Sequence, residues 1–272
     1  MSDVDDYVLG REYSEGLRLE TQHLLFNIHN GYTIDPQIPI TPETKIADMG
    51  TGTGIWLLDV AHQVPSTVQL DGFDISDRQF PHEASRPDNM KFRPLDAFSQ
   101  VPEELIGKYD IVHLRLWCCI VKDCNTAALI QHATRLLKPG GYLQWDEADL
   151  GQMHIRGPEA EAVSAFDRIF RSILHFDYAW IQDLPNRSKE AGLEVLKFKT
   201  EPFSKTCIPI VTRTCIMAYF TGIETLYKFS NASLPPRNEA EAAVTALVEA
   251  LKHGAVYHWT PVSLLARKKI VS

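Results

Sequence analysis

The run Lys45-Ile46-Ala47-Asp48-Met49 leads straight into Gly50-Thr51-Gly52-Thr53-Gly54, and the stretch after it, Ile55 to His62, is rich in helix formers. A short apolar run that ends on glycine and restarts as a helix is a strand–turn–helix unit. The glycines let the backbone turn tightly and let a ligand approach where a Cβ would stand. The helix start offers unpaired N–H groups and the positive end of a dipole, which suit an anionic group.

Strand and helix signals alternate from there. Val68 to Asp74, Met90 to Arg93 and Tyr109 to Leu114 read as further strands, the last apolar enough to be buried on both faces. Thr126 to Leu137 reads as a helix stopped by Lys138-Pro139-Gly140-Gly141, and Tyr142 to Trp145 begins a fifth strand. This pattern predicts an α/β fold with a doubly wound, mostly parallel sheet. Ahead of it, Glu15 to Asn30 predicts a separate helix, followed by the proline-interrupted loop 35–42. Behind it, Pro158–Leu174, Thr212–Phe229 and Asn238–Lys252 predict helices, and Leu193–Lys199 and Val262–Lys268 predict strands. The expected organisation is an N-terminal helical segment over 1–44, a ligand-binding core over 45–150, and a continuation of the same domain with a helical cap over 151–272.

The spacing of the loop narrows the ligand. A dinucleotide loop reads G-x-G-x-x-G, whereas here the third glycine comes one residue early and Ile55 takes its place. That favours a smaller ligand whose carboxylate and ribose sit close to the turn. The next strand ends at Asp74, twenty residues after Gly54, where a carboxylate can accept both hydroxyls of a ribose. Asp74-Ile75-Ser76-Asp77 is also good capping sequence; behind a glycine loop the ribose reading takes precedence. Asp96-Ala97-Phe98 follows the third strand. Its carboxylate can accept from an adenine amino group and its ring can wall the base, although a plain loop aspartate fits as well.

Bulk properties exclude several classes of partner. The formal charge is -8 and the longest basic run is Arg267-Lys268-Lys269, so a phosphate backbone is a poor partner. No stretch approaches the roughly 18 apolar residues of a membrane span. The N-terminus is acidic, unlike a secretory signal. The five cysteines form no C-x-x-C pair and read as free thiols, so a cytoplasmic setting is expected.

Ala47 to Trp56 resembles motif I of class I S-adenosylmethionine (SAM) dependent methyltransferases, in particular the fungal secondary-metabolism branch related to LaeA-type regulators. Three more segments are similar to that branch: Tyr7-Val8-Leu9-Gly10-Arg11 with Arg18-Leu19-Glu20-Thr21-Gln22-His23, then Asp110 to Arg115, then Leu137 to Tyr142. The resemblance covers about residues 5–150. It implies a Rossmann-like core with Asp48 and the Gly50, Thr51, Gly52 and Gly54 backbone at the methionine end of SAM. It implies Asp74 at the ribose, with Ile75 beside it, and Asp96, Ala97 and Phe98 near the adenine. Trp56, Arg115, Arg18 and Tyr13 join the implied cofactor set. His113, Leu114 and Arg115 follow the fourth strand, where such a fold passes the sulfonium.

An oxygen or amide acceptor benefits from a general base. The candidates are His23, His113, Asp146 and Glu147. Adjacent strand residues face opposite ways, so at most one of Asp146 and Glu147 is expected to face a pocket; solvation or a local ion pair, with Arg115 a partner for either, fits them as well, and for His113 a satisfied core histidine is the preferred reading. Arg18, Gln22 and His23 share a face of the first helix, and the resemblance makes that helix a lid. Phe166, Phe170, Phe176, Tyr178, Trp180, Met217, Tyr219, Phe220 and Trp259 of the second half are expected mostly in the core and in part around an apolar substrate pocket, with nothing in the sequence to sort one set from the other. The implied activity is methyl transfer from SAM to O, N or S of a small natural product. The alternatives are a LaeA-like regulator acting through protein partners and a recruited non-methylating reaction.

Overall fold

The computed structural model describes residues 13–174, 177–229 and 234–270. The Tyr7-Val8-Leu9-Gly10-Arg11 segment and Phe176 lie outside them, as do the side chains of Tyr13 and Phe170. Seven strands form one sheet: β1 (Lys45–Met49), β2 (Gln69–Asp74), β3 (Met90–Pro94), β4 (Tyr109–Arg115), β5 (Leu137–Arg156), β6 (Leu193–Lys199) and β7 (Val256–Lys268). Their order is β3-β2-β1-β4-β5-β7-β6. The first five run parallel, while β7 is antiparallel to both β5 and β6. The strand order reverses between β1 and β4, and a ligand crevice opens at such a switch point, beyond the carboxyl ends of the strands.

Alternation along the strands places the core on both faces. Ile46 and Ile111 join Trp56, Leu57 and Val60 of α2 (Ile55–Gln63) on one face. Ala47, Met49, Val112 and Leu114 join the larger cluster on the other. The opposite-facing sets follow from the two-residue period of a strand. On the larger face lies α3 (Ala127–Leu136), with Leu129, Ile130, Ala133 and Leu136 buried.

The first helix, α1 (Tyr13–Asn30), buries Leu25 and Phe26 and ends at Gly31, whose φ of 79° turns the chain away. The later helices are α4 (Ala160–Leu174), α5 (Ala179–Gln182), α6 (Leu184–Glu190), α7 (Ile208–Phe229) and α8 (Arg237–Lys252). The helix α1 packs along α7, and Thr221 of α7 donates to Glu15 of α1. Thus the N-terminal helix is held by the C-terminal part of the chain. Among the described residues, no helix is long and apolar enough to cross a membrane.

Two strands are longer than their local patterns predict. β5 begins at Leu137 rather than Tyr142 and continues to Arg156, and β7 begins at Val256 rather than Val262. The early start of β5 follows from Leu137 pairing with Tyr109 of β4, and the other extensions from mutual pairing: His154, Ile155 and Arg156 sit opposite His258, Tyr257 and Val256 beyond a register shift at Asp149/His154. Each extension satisfies the other's backbone groups, which neither segment's composition announces. The short helices α5 and α6 also escape a periodicity reading, because few turns carry no pattern.

Candidate functional site

A cavity of about 250 Å³ lies over the carboxyl ends of β1, β2, β4 and the middle of β5. Its walls come from Arg18, Gln22 and His23 of α1, the glycine loop, the end of β2, the Asp96–Phe98 turn, and the Trp117–Cys119 turn that follows β4. Its far side is Ala148 and Leu150 of β5, Thr214, Cys215, Ala218 and Tyr219 of α7, and Trp259 of β7. One space therefore joins a polar end at the loop to an apolar end under α7.

The loop is built for close approach. Gly50 has φ of 69°, and a Cβ there would stand 2.9 Å from Cζ2 of Trp117. Only glycine allows both the left-handed turn and the indole above it. Gly54, with φ of 73°, does something else: a Cβ would meet Phe92 at 2.5 Å, and Gly54 does not line the cavity. The resemblance puts Gly54 in contact with a ligand, whereas its observed work is to cap α2 and admit Phe92.

Asp74 lines the cavity at 9% exposure. Its Oδ2 accepts from Gly52 N–H at 3.0 Å and its Oδ1 from Ser76 N–H at 3.1 Å. The turn aspartate and the cavity aspartate are thus one residue, tying the end of β2 to the glycine loop. Asp96 is exposed and accepts from Phe98 N–H at 2.8 Å, shaping a turn that places Ala97 and Phe98 on the rim. Ile75, exposed, and Trp56 and Thr51, buried, also reach the lining.

Three of the candidate bases, His113, Asp146 and His23, belong to one connected run of acidic and basic side chains. Thr51 Oγ1 donates to Asp48 Oδ2 at 2.6 Å, and His113 Nδ1 donates to Asp48 Oδ1 at 2.7 Å. His113 lies flat on Trp56, ring centroids 3.9 Å apart, with its Nε2 3.6 Å from Asp146 Oδ2. Arg115, on the same face of β4, donates to Asp146 Oδ2 and to His23 Nδ1, both at 3.0 Å. His23 Nε2 then meets Asp59 of α2 at 3.0 Å. Burial, reinforced by Arg115, pulls the His23 pKa down to about 4, so the ring is neutral in ordinary buffers. Its Nδ1 lone pair is already taken by Arg115. Hence both histidines line the cavity, but only His23 has both ring nitrogens engaged; His113 Nε2 is buried and lacks a hydrogen-bond partner among the described residues.

Asp146 and Glu147 line no part of the cavity, which is within the expectation of at most one facing it but corrects their place among the candidate bases. Asp146 pairs across the sheet with Ser263 of β7 and accepts from Ser263 Oγ and Asn30 Nδ2. Burial would raise its carboxyl, but His113 and Arg115 overcome that and hold it well below the usual carboxylate range. Glu147 is completely buried beneath the 117–119 turn. It accepts from the backbone N–H of Trp117, Cys118 and Ala148 and from Trp145 Nε1. It therefore positions the turn rather than serving as a base.

Burial pushes the Glu147 carboxyl up to about 7, against the pull of those four donors. A carboxyl whose folded pKa is raised binds its proton more tightly folded than unfolded, so between about pH 4.3 and 7 it lowers stability as pH rises. Glu147→Gln does not titrate. Its unfolding free energy relative to the native chain should climb with pH across that window, by up to about 1.4 kcal/mol per unit. Urea melts at pH 5, 6 and 7 check this; a constant difference would mean that Glu147 stays ionised throughout.

Several wall residues have no local signal in the sequence. Tyr219 and Trp259 come from remote segments and meet at the cavity only through α7 packing on β7. Trp117, Gln79 and Thr53 had no marked role either. Yet Trp117 Nε1, Gln79 Nε2 and Thr53 Oγ1 are buried and lack a hydrogen-bond partner among the described residues. Three such atoms around one loop indicate a polar ligand, since buried polar groups are rarely left unsatisfied. The glycine cradle, the Asp74 carboxylate and these atoms fit a nucleoside joined to an amino acid. Of the polar residues in the apolar half, the Tyr219 hydroxyl is bonded to Tyr257 and Thr214 to backbone carbonyls.

Comparison with known proteins agrees with this geometry. The profile of the methyltransferase domain family matches residues 34–197. The chain is 41% identical to methyltransferase grgD of a Penicillium species over 155 residues, covering 53% of this chain and 52% of that protein. It is 34% identical to N-methyltransferase tcpN of Claviceps purpurea over 189 residues, covering 67% and 64%. The chain thus spans between half and two thirds of the length of these curated relatives. Phosphoethanolamine N-methyltransferase 2 of Haemonchus contortus, solved with phosphomonomethylethanolamine and S-adenosylhomocysteine (SAH), superposes with a TM-score of 0.55 at 16% identity, covering 99% of this chain and 61% of that one. That likeness is one of fold.

Proposed function

We propose that this chain, which belongs to the methyltransferase domain family, is an enzyme that transfers a methyl group from SAM to a nitrogen atom of a small, largely apolar molecule, a fungal natural product by the company of its relatives. The observation that carries the reading is the single cavity, polar at the glycine loop and apolar under α7.

The residues divide by position. Gly50, Thr51 and Gly52 with Asp48 and Arg18 would hold the methionine end. Asp74 would accept the ribose hydroxyls, and Asp96, Ala97 and Phe98 would border the adenine. When bound, SAM supplies an electrophilic methyl on a sulfonium. The chain's task is then to orient the acceptor and keep water away, and orientation alone can lower a barrier by roughly 7–11 kcal/mol in favourable cases. Leu150, Ala218 and Trp259 exclude water at the acceptor end.

The choice of nitrogen rests on what the acceptor end lacks. A hydroxyl must lose a proton to attack well. The acceptor end, lined by Leu150, Thr214, Cys215, Ala218, Tyr219 and Trp259, carries no imidazole or carboxylate among the described residues; His113, whose Nε2 is unbonded, is held by Asp48 beside the glycine loop, His23 is engaged by Arg115 and Asp59, and Asp146 and Glu147 lie outside the cavity. A neutral amine brings its own lone pair and needs no base before attack. The relatives that carry the name N-methyltransferase agree.

Mass spectrometry of amine-bearing and hydroxyl-bearing metabolites incubated with the chain and SAM tests this. The expected result is the gain of one methyl by an amine, with SAH formed in equal amount. Methyl gain on hydroxyls alone would overturn the acceptor assignment. Turnover without SAH would overturn methyl transfer itself.

A further inference from the structure

Cys118 and Cys119 are neighbours in sequence, and both line the cavity. Their sulfurs are 3.9 Å apart. They sit on the Trp117–Cys119 turn, entered through Leu116 at φ of 58°, a left-handed conformation that costs a side-chain-bearing residue energy. Glu147 grips this turn by the N–H groups of Trp117 and Cys118. Trp117 in turn lies against Gly50 of the loop. Trp117 thus joins the turn that carries the two sulfurs to the glycine cradle.

We propose that Cys118 and Cys119 form a vicinal dithiol that a peroxide oxidises to a disulfide, and that closing it weakens the loop's grip on the cofactor. The inference rests on the cofactor reading above. A disulfide needs sulfurs about 2.05 Å apart, so the pair must close by roughly 2 Å. The turn cannot absorb that locally while Glu147 holds its two N–H groups, so Trp117 moves. The pair is also chemically matched. The contact between the two sulfurs, with Arg18 nearby, holds the Cys119 thiol below its ordinary value, while the same contact and burial push Cys118 up. Cys215 lines the same cavity, but burial pushes its thiol up to about 12, which makes it the poorer nucleophile.

The chemistry balances with hydrogen peroxide as oxidant. The Cys119 thiolate attacks one oxygen and the O–O bond breaks. Cys119 becomes a sulfenic acid, and the departing hydroxide takes the thiol's proton to form water. Cys118 sulfur then attacks the sulfenyl sulfur, forming the S–S bond and releasing a second water. Two thiols lose two electrons and one peroxide gains them.

The test treats the reduced full chain with one equivalent of hydrogen peroxide, then alkylates it and maps the peptides. Both Cys118 and Cys119 should lose their alkyl label together and regain it after dithiothreitol. The oxidised chain should bind SAH at least about five-fold more weakly, and saturating SAH should slow oxidation in return, because coupling between two events is reciprocal. In Cys118→Ser, peroxide should leave a dimedone-reactive sulfenic acid on Cys119. Pairing of either cysteine with Cys124 or Cys215 would overturn the proposal. So would over-oxidation without a disulfide, or equal SAH affinity in the two forms. A reduced chain that binds no SAH would instead sink the cofactor reading, while the label count still decides whether the dithiol closes.

Discussion

Asp74→Ala should weaken SAH binding about 100-fold by isothermal titration, a loss near 3 kcal/mol. Asp74 is placed by the end of β2, and its position is over-determined by the N–H groups of Gly52 and Ser76. A carboxylate oxygen can accept more than one hydrogen bond, so both retain capacity toward the cavity. Hydrogen bonds to a charged group contribute about 1.5–3 kcal/mol each. Removing the carboxylate would cost those proposed to the ribose and would also leave Gly52 N–H without its acceptor, loosening the loop. Asp74→Asn keeps one acceptor and should lose only about ten-fold, or half that free energy. Equal affinity in the native chain and Asp74→Ala would remove Asp74 from the site.

Arg115→Ala should lower stability by about 4 kcal/mol, because it leaves the buried Asp146 carboxylate without its cation. Arg115 also lies over the Phe26 ring at 4.9 Å, so packing is lost with the charge. For a chain of this size the loss corresponds to a fall in Tm of about 7 °C by calorimetry. The double variant Arg115→Ala with Asp146→Asn should recover a large part, since the uncompensated charge is gone. If the double variant is no better than the single one, packing rather than charge explains the loss.

The pH dependence of the same pair has a definite sign. The folded pKa of Asp146 is depressed, so its contribution is complete above the unfolded value near 3.9 and is lost as pH falls below it. The native chain loses this stabilisation in acid, and Arg115→Ala has already lost it. Their Tm difference should therefore narrow below about pH 4. His23, held neutral in the fold, adds a separate loss as pH falls from about 6.5 toward 4.

Much of the cofactor end was legible because it is local. The strand Lys45–Met49, the three glycines and Asp74 lie within one βαβ unit, where short-range pattern and turn chemistry dictate geometry. The functional meaning of Asp146 and Glu147 was not legible. Two adjacent acids at a strand end look alike in sequence. The register Arg115↔Asp146 and Asp146↔Ser263 sends one into an ion network, and the 117–119 turn folds over the other.

The sequence by itself determined the α/β class, the strand–loop–helix at Gly50–Gly54 and the acidic residue one strand later, because two-residue and 3.6-residue periods and left-handed glycines act over a few residues. Only the tertiary structure decided the acceptor end. Trp259 and Tyr219 reach the cavity because β7 inserts antiparallel between β5 and β6 and α7 packs upon it. The run Asp48–His113–Asp146–Arg115–His23–Asp59 likewise joins five elements that share no local pattern. Charges separated by many residues can find one another only after the sheet has brought them within hydrogen-bond reach, and burial then makes each partner obligatory.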